Sequence, residues 1–239
     1  MSRELSERAS KFLDDCTRVD AWAGPIRREM IAVNADLVRA GDGIDEALSR
    51  IVRFDALYGG RVIPVSGGVL AGSLTLGCGS RPVLRRSSDG RLVFQMARHD
   101  SAQCAVVMSA DGAAGCSWST EFHPLFDSIE HLIEDCAAWR QIRGWKYVAI
   151  SDFDPSLVMA AIGDLSLDES ASGESAKWWI GGGIAVVSHP YLNPGRGASM
   201  QVAVVAASAQ HAERVKKTLE AEGLGDRGVT AASLWGAVG

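Results

Sequence analysis

The sequence predicts an α+β fold, with N-terminal helices, a central antiparallel β-meander, a packing helix and a C-terminal α/β extension. Three observations predict it. Apolar residues recur at three- and four-residue steps through the first sixty positions, the spacing that lines one helix face. From residue 61 the period shortens and β-prone runs are joined by tight turns, which implies a meander rather than βαβ units. The helical period then returns near residue 129, ahead of a change in composition.

The elements follow in order. Leu5, Ala9, Phe12, Leu13, Cys16 and Val19 stripe a first helix. Gly24-Pro25 breaks it and starts a second, striped by Ile26, Met30, Val33 and Leu37. Asp42 is placed to cap a third, with Ile44, Leu48, Ile51 and Val52 inward and a stop at Tyr58-Gly59-Gly60. Val62–Val65 is a short strand whose proline marks an edge, and Ser73–Leu76 is another. Pro82–Arg86 and Arg91–Ala97 flank a turn at Ser87–Gly90, and Cys104–Ser109 and Cys116–Ser119 flank one at Asp111-Gly112. Pro124–Ser128 is read as opening a helix, with Asp127 and Glu130 as a capping box and Ile129, Leu132, Ile133, Cys136 and Ala137 as its stripe.

Residues 1–146 therefore read as one α+β domain, with helices in 1–58 and the sheet and helix in 59–146. Residues 147–239 read as an extension. Within it come a strand at 145–150, a helix capped by Asp154 with Pro155 at its first position, and a Ser-, Gly- and acid-rich linker at 164–176. Strands at 178–188 and 199–206 follow, separated by a loop from His189, and Ser208 caps a final helix ended by Gly223.

Composition limits the function. No apolar run approaches the roughly 18–20 residues that cross a bilayer, so no membrane role is expected. The opening residues carry charges of both signs and no signal-like apolar stretch. Five widely spread cysteines with no C-x-x-C pair suit a reducing compartment, and a cytoplasmic location is expected. The net charge is −5, and Asp152, Asp154, Asp164, Asp168, Glu169 and Glu174 fall within residues 147–176 with no Lys or Arg. That stretch reads either as a solvated loop or as an acidic face for a basic partner. Direct nucleic-acid binding is not expected, because phosphate needs a basic stripe. Arg81, Arg85, Arg86, Arg91 and Arg98 fall instead on a hairpin, where charge protects sheet edges.

Few residues promise chemistry. Cys78, between two glycines, and His99 form a Cys–His candidate for acyl transfer if the imidazole lowers the thiol pKa, against the reading of a small buried thiol in a turn. Cys78, His99, Cys104 and Cys116 lack the paired spacing of a zinc knuckle, so neither metal nor cofactor is expected. Gly181-Gly182-Gly183 completes no nucleotide fingerprint and reads better as a β-bulge or a close backbone approach. Trp178 and Trp179, adjacent on a strand, face opposite sides. One is a core candidate and the other a protein-binding anchor, unless both are buried.

The run Phe54-Asp55 with Tyr58-Gly59-Gly60 at a helix end, His99–Gln103 some forty residues on, the turn at Asp111-Gly112 and the helix opening at Pro124–Ser128 together resemble the SMI1/KNR4 (SUKH) superfamily, as found in bacterial immunity proteins, over roughly residues 40–143. The resemblance implies a central antiparallel sheet, no catalytic centre, and a role in binding and occluding a cognate toxin of nuclease or deaminase class. Phe54, Asp55, Tyr58, Gly59 and Gly60 would then be structural, and Asp164, Asp168, Glu169, Glu174, Trp178 and Trp179 would be the candidate contacts for a basic toxin domain. Two other readings compete with it. One is an enzyme built on Cys78 and His99. The other is a subunit of an assembly, or a homodimer, joined through the strands of the extension.

Overall fold

Ser6 starts the first helix by accepting a hydrogen bond from the Ala9 backbone N–H at 3.1 Å, and α1 (Glu7–Asp15) buries Ala9, Phe12 and Leu13. A computed structural model describes the protein over residues 4–224, apart from residues 21, 23, 34–36, 38–42, 67–69, 80, 101–103, 152 and 194–196. Of residues 150, 151, 190–193 and 197–199 it describes the backbone alone.

The second expected helix does not form over residues 26–33; residues 34–36 of its span lie outside the described residues, and Leu37 at its end is helical and buried. Arg28–Met30 makes one 3₁₀ turn, and Ala32–Val33 is a strand, β1. Tertiary partners override the local period there. The Ile26 N–H is taken by the Asp55 carboxylate at 3.0 Å, and the Ala32 N–H by the Pro82 carbonyl at 2.9 Å. The third expected helix is present as α2 (Ile44–Tyr58), with Ala47, Leu48, Ile51, Phe54, Asp55 and Tyr58 buried. Its N-cap position is Gly43, at φ +75°, with no side-chain cap. Asp42, the expected cap, lies outside the described residues.

The meander comprises β2 (Val62–Val65), β3 (Gly72–Leu76), β4 (Val83–Arg86), β5 (Leu92–His99), β6 (Ala105–Ser109), β7 (Ala114–Trp118) and β8 (Glu121–Phe126). The order is β1-β4-β5-β6-β7-β8, with β2 reaching β5 through β3. β5 organises this sheet. Its first half pairs with β4, its end with β3, and its other side with β6. Alternation sends Phe94 to Phe54 of α2, with ring centroids 6.1 Å apart, and Val93 to the opposite face with Val107 and Phe122.

β8 corrects the expectation that Pro124 opens a helix. Pro124 sits opposite Gly115 on the edge strand, where the register shifts. A proline is tolerated at such a position because no ladder N–H is required of it. The next helix, α3 (Ile129–Gln141), is capped by Ser128, whose Oγ accepts from the His131 N–H at 3.1 Å, rather than by Asp127.

The chain divides into two compact units, Met1–Val65 with Gly72–Ile133, and Ser66–Ala71 with Glu134–Gly239. The division falls inside α3, ahead of the 146/147 boundary read from the sequence. In the second unit follow β9 (Lys146–Ser151), α4 (Pro155–Ile162), β10 (Ser166–Leu167), β11 (Lys177–Gly181), β12 (Ile184–Asn193), β13 (Gly197–Ala206) and α5 (Ala209–Ala221). Asp154 and Ser208 cap the two helices, as their residue types require.

The second sheet runs β10-β11-β12-β13-β9. Alternation along β12 and β13 gives it two apolar faces. Ala185, Val187, Ala203 and Val205 pack with Trp178, Ala138, Trp139 and Ile142, while Val186, Val202 and Val204 pack with Val158, Val215 and Leu219. Two readings of this region are corrected. The glycine run is a hairpin turn rather than a bulge, with Gly182 at φ +55° and Gly183 at φ +75°, the geometry of a two-residue primed turn, while the close backbone approach holds at Gly181, which the Asp164 carbonyl meets. The loop expected from His189 is largely strand, since β12 and β13 pair from Ile184↔Ala206 out to Asn193↔Gly197. Among the described residues no helix is long and apolar enough to cross a membrane.

Candidate protein-binding site

The stretch 164–176, expected as a mobile linker, is a built turn. β10 pairs with the end of β11 in the register Ser166↔Ile180 and Leu167↔Trp179. Beyond it the Asp168 carboxylate accepts from the Ser170 and Ala171 N–H groups at 3.1 and 3.2 Å and from the Ser170 hydroxyl at 2.6 Å. Such a side chain mimics a backbone turn and holds the chain in place. The Ser172 hydroxyl accepts from the Trp178 N–H at 2.9 Å, and Ala171 and Ala176 are fully buried. Polar composition suggested a linker, but its serines and Asp168 serve as internal caps.

The two tryptophans divide as strand geometry requires. Trp178 is 1% exposed, stacks edge-on against Trp139 with centroids 4.9 Å apart, and donates its indole N–H to buried Asp135 at 2.8 Å. It is a core residue. Trp179 points to the other side and is partly buried. Its cross-strand neighbour Leu167 is 46% exposed. Directly opposed residues on one sheet face interact through their side chains, so these two form a small apolar platform. Leu167, Glu169, Ser172, Gly173, Lys177 and Trp179 line a shallow groove of about 470 Å³ over it.

The acids sort by what holds them. Glu169 and Glu174 are exposed, as is Asp164, which sits at φ +45°, a conformation that aspartate tolerates better than most residues. Its carbonyl lies 2.5 Å from where a Cβ on Gly181 would be, so Gly181 is fixed by this close approach. Asp168 is consumed by the turn. Of six candidate contacts, Asp168 and Trp178 are therefore structural, Trp179 packs in part against the core that holds Val186, Val204 and Val215, and Glu169, Glu174 and Asp164 are exposed. Leu167 and Lys177 were missed. The alternation Leu165-Ser166-Leu167 was the signal for the first, but it is too short to distinguish from a loop.

The helix-end motif of α2 works as a clasp. Asp55, 1% exposed, accepts from the Ile26 N–H through one carboxylate oxygen at 3.0 Å and from the Cys78 N–H through the other at 3.1 Å. Gly60 takes φ +76°, and any side chain on Gly59 or Gly60 would meet Trp22 within 2.7 Å. The Tyr58 hydroxyl donates to the buried Glu130 carboxylate at 3.1 Å. Burial, reinforced by the Glu130 charge, pushes the Tyr58 pKa well above the ordinary phenol value. Beside this pair lies a cleft of about 320 Å³, lined in part by Arg50, Arg53, Leu57, Asp111 and Asp127. Within it Arg50 pairs with Glu46 at 3.4 Å.

Cys78 and His99 do not come together. Leu74 pairs with His99 and Leu76 with Ala97, and the Gly77 N–H reaches the Met96 carbonyl. Cys78 thus lies about four residues along the sheet from His99, roughly 13 Å at strand spacing, beyond the reach of a general base. Burial and the neighbouring Asp55 charge also push the Cys78 thiol pKa up, away from a reactive thiolate. Of the strands offered for pairing with a second chain, β12 is joined to β11 over residues 184–188 and β13 to β9 over residues 202–206. Beyond those spans, among the described residues, 189–193 and 197–201 pair only with each other. No family model matches the chain, and no curated protein or solved structure does either.

Proposed function

We propose that this protein is a binding module of SUKH immunity type that neutralises a cognate toxin domain, of nuclease or deaminase class, by covering its surface. The observation that carries the reading is the Leu167–Trp179 platform, an apolar cross-strand pair held at a sheet edge with Glu169 in the groove beside it and Glu174 exposed in the same turn. An aromatic anchor with an acidic rim suits a partner whose active-site cleft is basic. The tryptophan supplies affinity, and the carboxylates supply steering. The α2 motif supports the same reading, because its residues are spent on holding the fold rather than on converging in a reactive pocket.

The test is titration of the full chain with basic toxin domains of nuclease and deaminase class. Trp179→Ala is expected to weaken the complex by about 30-fold or more, the effect of losing a hot spot of roughly 2 kcal/mol. Glu169→Gln with Glu174→Gln is expected to slow association and to flatten its salt dependence. Wild-type affinity in Trp179→Ala, together with unchanged salt dependence in the double variant, would refute the assignment of this surface.

A further inference from the structure

We infer that Cys104 and Cys116 are a redox pair that closes reversibly into a disulfide when the protein meets a hydroperoxide. Their Sγ atoms are 3.1 Å apart, both thiols are free, and the strand register brings them together. β6 and β7 pair as Ala105↔Ser117 and Val106↔Cys116. Cys104, one residue before β6, therefore shares a sheet face with Cys116 and stands diagonally across from it. A disulfide needs sulfurs about 2.05 Å apart, so about 1 Å of closure is required. Cys104 is free to supply it, because it lies outside the ladder in a bend, whereas Cys116 is fixed mid-strand.

The two sulfurs have different roles. Cys104 is partly exposed and Cys116 is fully buried. The hydrogen bond from Cys116 stabilises the Cys104 thiolate and lowers its pKa. The same contact, with burial, pushes Cys116 up. An accessible thiolate beside a protonated, sheltered partner is the arrangement of an attacking and a resolving cysteine. The Cys104 thiolate attacks one peroxide oxygen, the O–O bond breaks, the other oxygen leaves as the alcohol after taking a proton, and Cys104 becomes a sulfenic acid. The Cys116 sulfur then attacks the Cys104 sulfur, releases its own proton, and expels the hydroxyl as water. Two thiols and one hydroperoxide give one disulfide, one alcohol and one water. The bond would staple the β6–β7 hairpin, whose turn contributes Asp111 and Gly112 to the cleft beside Tyr58.

The test is treatment of the reduced full-length chain with a slight excess of hydrogen peroxide, followed by alkylation and peptide mass mapping. A Cys104–Cys116 cross-linked peptide, two hydrogens lighter than its reduced parts and restored by dithiothreitol, is the expected result. Cys116→Ser should instead leave a sulfenic acid on Cys104 that dimedone traps, and Cys104→Ser should give neither product. The inference is overturned if wild-type Cys104 and Cys116 are recovered as separate alkylated peptides while Cys16, the other partly exposed thiol, is oxidised. It is also overturned if Cys104→Ser still yields peroxide-dependent oxidation at Cys116.

Discussion

Replacing Asp55 by asparagine tests the clasp at the end of α2. Each carboxylate oxygen serves one donor, Ile26 N–H and Cys78 N–H, across 29 and 23 residues of chain. Asparagine keeps one oxygen and turns a donor toward the other N–H. The variant thus loses one hydrogen bond to a charged group, about 1.5–3 kcal/mol, and strands a buried amide, about 1–3 kcal/mol more. Relief from burying a charge offsets part of this. The net expectation is a loss of about 3 kcal/mol, or about 6–12 °C in Tm for a chain of this size. Asp55→Ala strands both amides and should cost more. Urea unfolding measures the total, and native-state hydrogen exchange places it, since the Ile26 and Cys78 amides should exchange faster in both variants. A Asp55→Asn protein within about 0.5 kcal/mol of wild type, with those two amides equally protected, would show that the carboxylate does not hold the motif in place.

Two further outcomes follow from buried polar contacts. Trp178→Phe should destabilise the protein by about 2 kcal/mol in urea, because Asp135 loses the indole donor of a charge-assisted bond, and a neutral result would remove Trp178 from the structural account. Tyr58→Phe should cost about 1.5 kcal/mol at neutral pH through the lost bond to Glu130, and the cost should shrink under alkaline conditions. Tyr58 keeps its proton in the fold above the pH at which unfolded tyrosine releases it, about 10. Its stabilisation is therefore complete below pH 10 and is lost as pH rises toward the folded pKa. Unfolding free energies of both proteins between pH 8 and 11 test this, and a constant difference would refute it.

The parts of the fold that were legible share a cause. α2, the β4–β5 and β6–β7 hairpins, α4 and α5 are specified by nearby residues. Their stripes, caps and turn glycines lie within a few positions of one another. The illegible parts depend on distant residues. The strand at Ala32–Val33 exists because β4 offers it an edge, and Ile26 stays out of a helix with its N–H on Asp55. The sequence around each retains a helical period that loses to those partners. β8 was hidden because Pro124 reads as a helix starter, and only the neighbouring strand makes it an edge residue. At the candidate site, the split between Trp178 and Trp179 follows from strand alternation alone. The fate of Asp168 does not, since a carboxylate that caps a turn and one that meets a partner look alike until the serines around it are placed.

Edge protection alone does not account for the β10–β11 surface. A short edge strand with charged flanks is a common defence against unwanted pairing, and β10, with two residues and Glu169 beside it, meets that need. The defence does not require Leu167 to stand nearly half exposed across from Trp179. A serine or threonine at 167 would shield the edge equally well and would bury the same backbone. At about 25 cal/mol per Å² of apolar surface, a leucine left in water forgoes stabilisation that the fold does not recover. The Asp168 turn holds this pair in one geometry, so a partner would meet it without ordering a loop first, and the association would avoid that entropic cost. Protection accounts for the acids, and the apolar pair is the part of this edge that the proposed partner would cover.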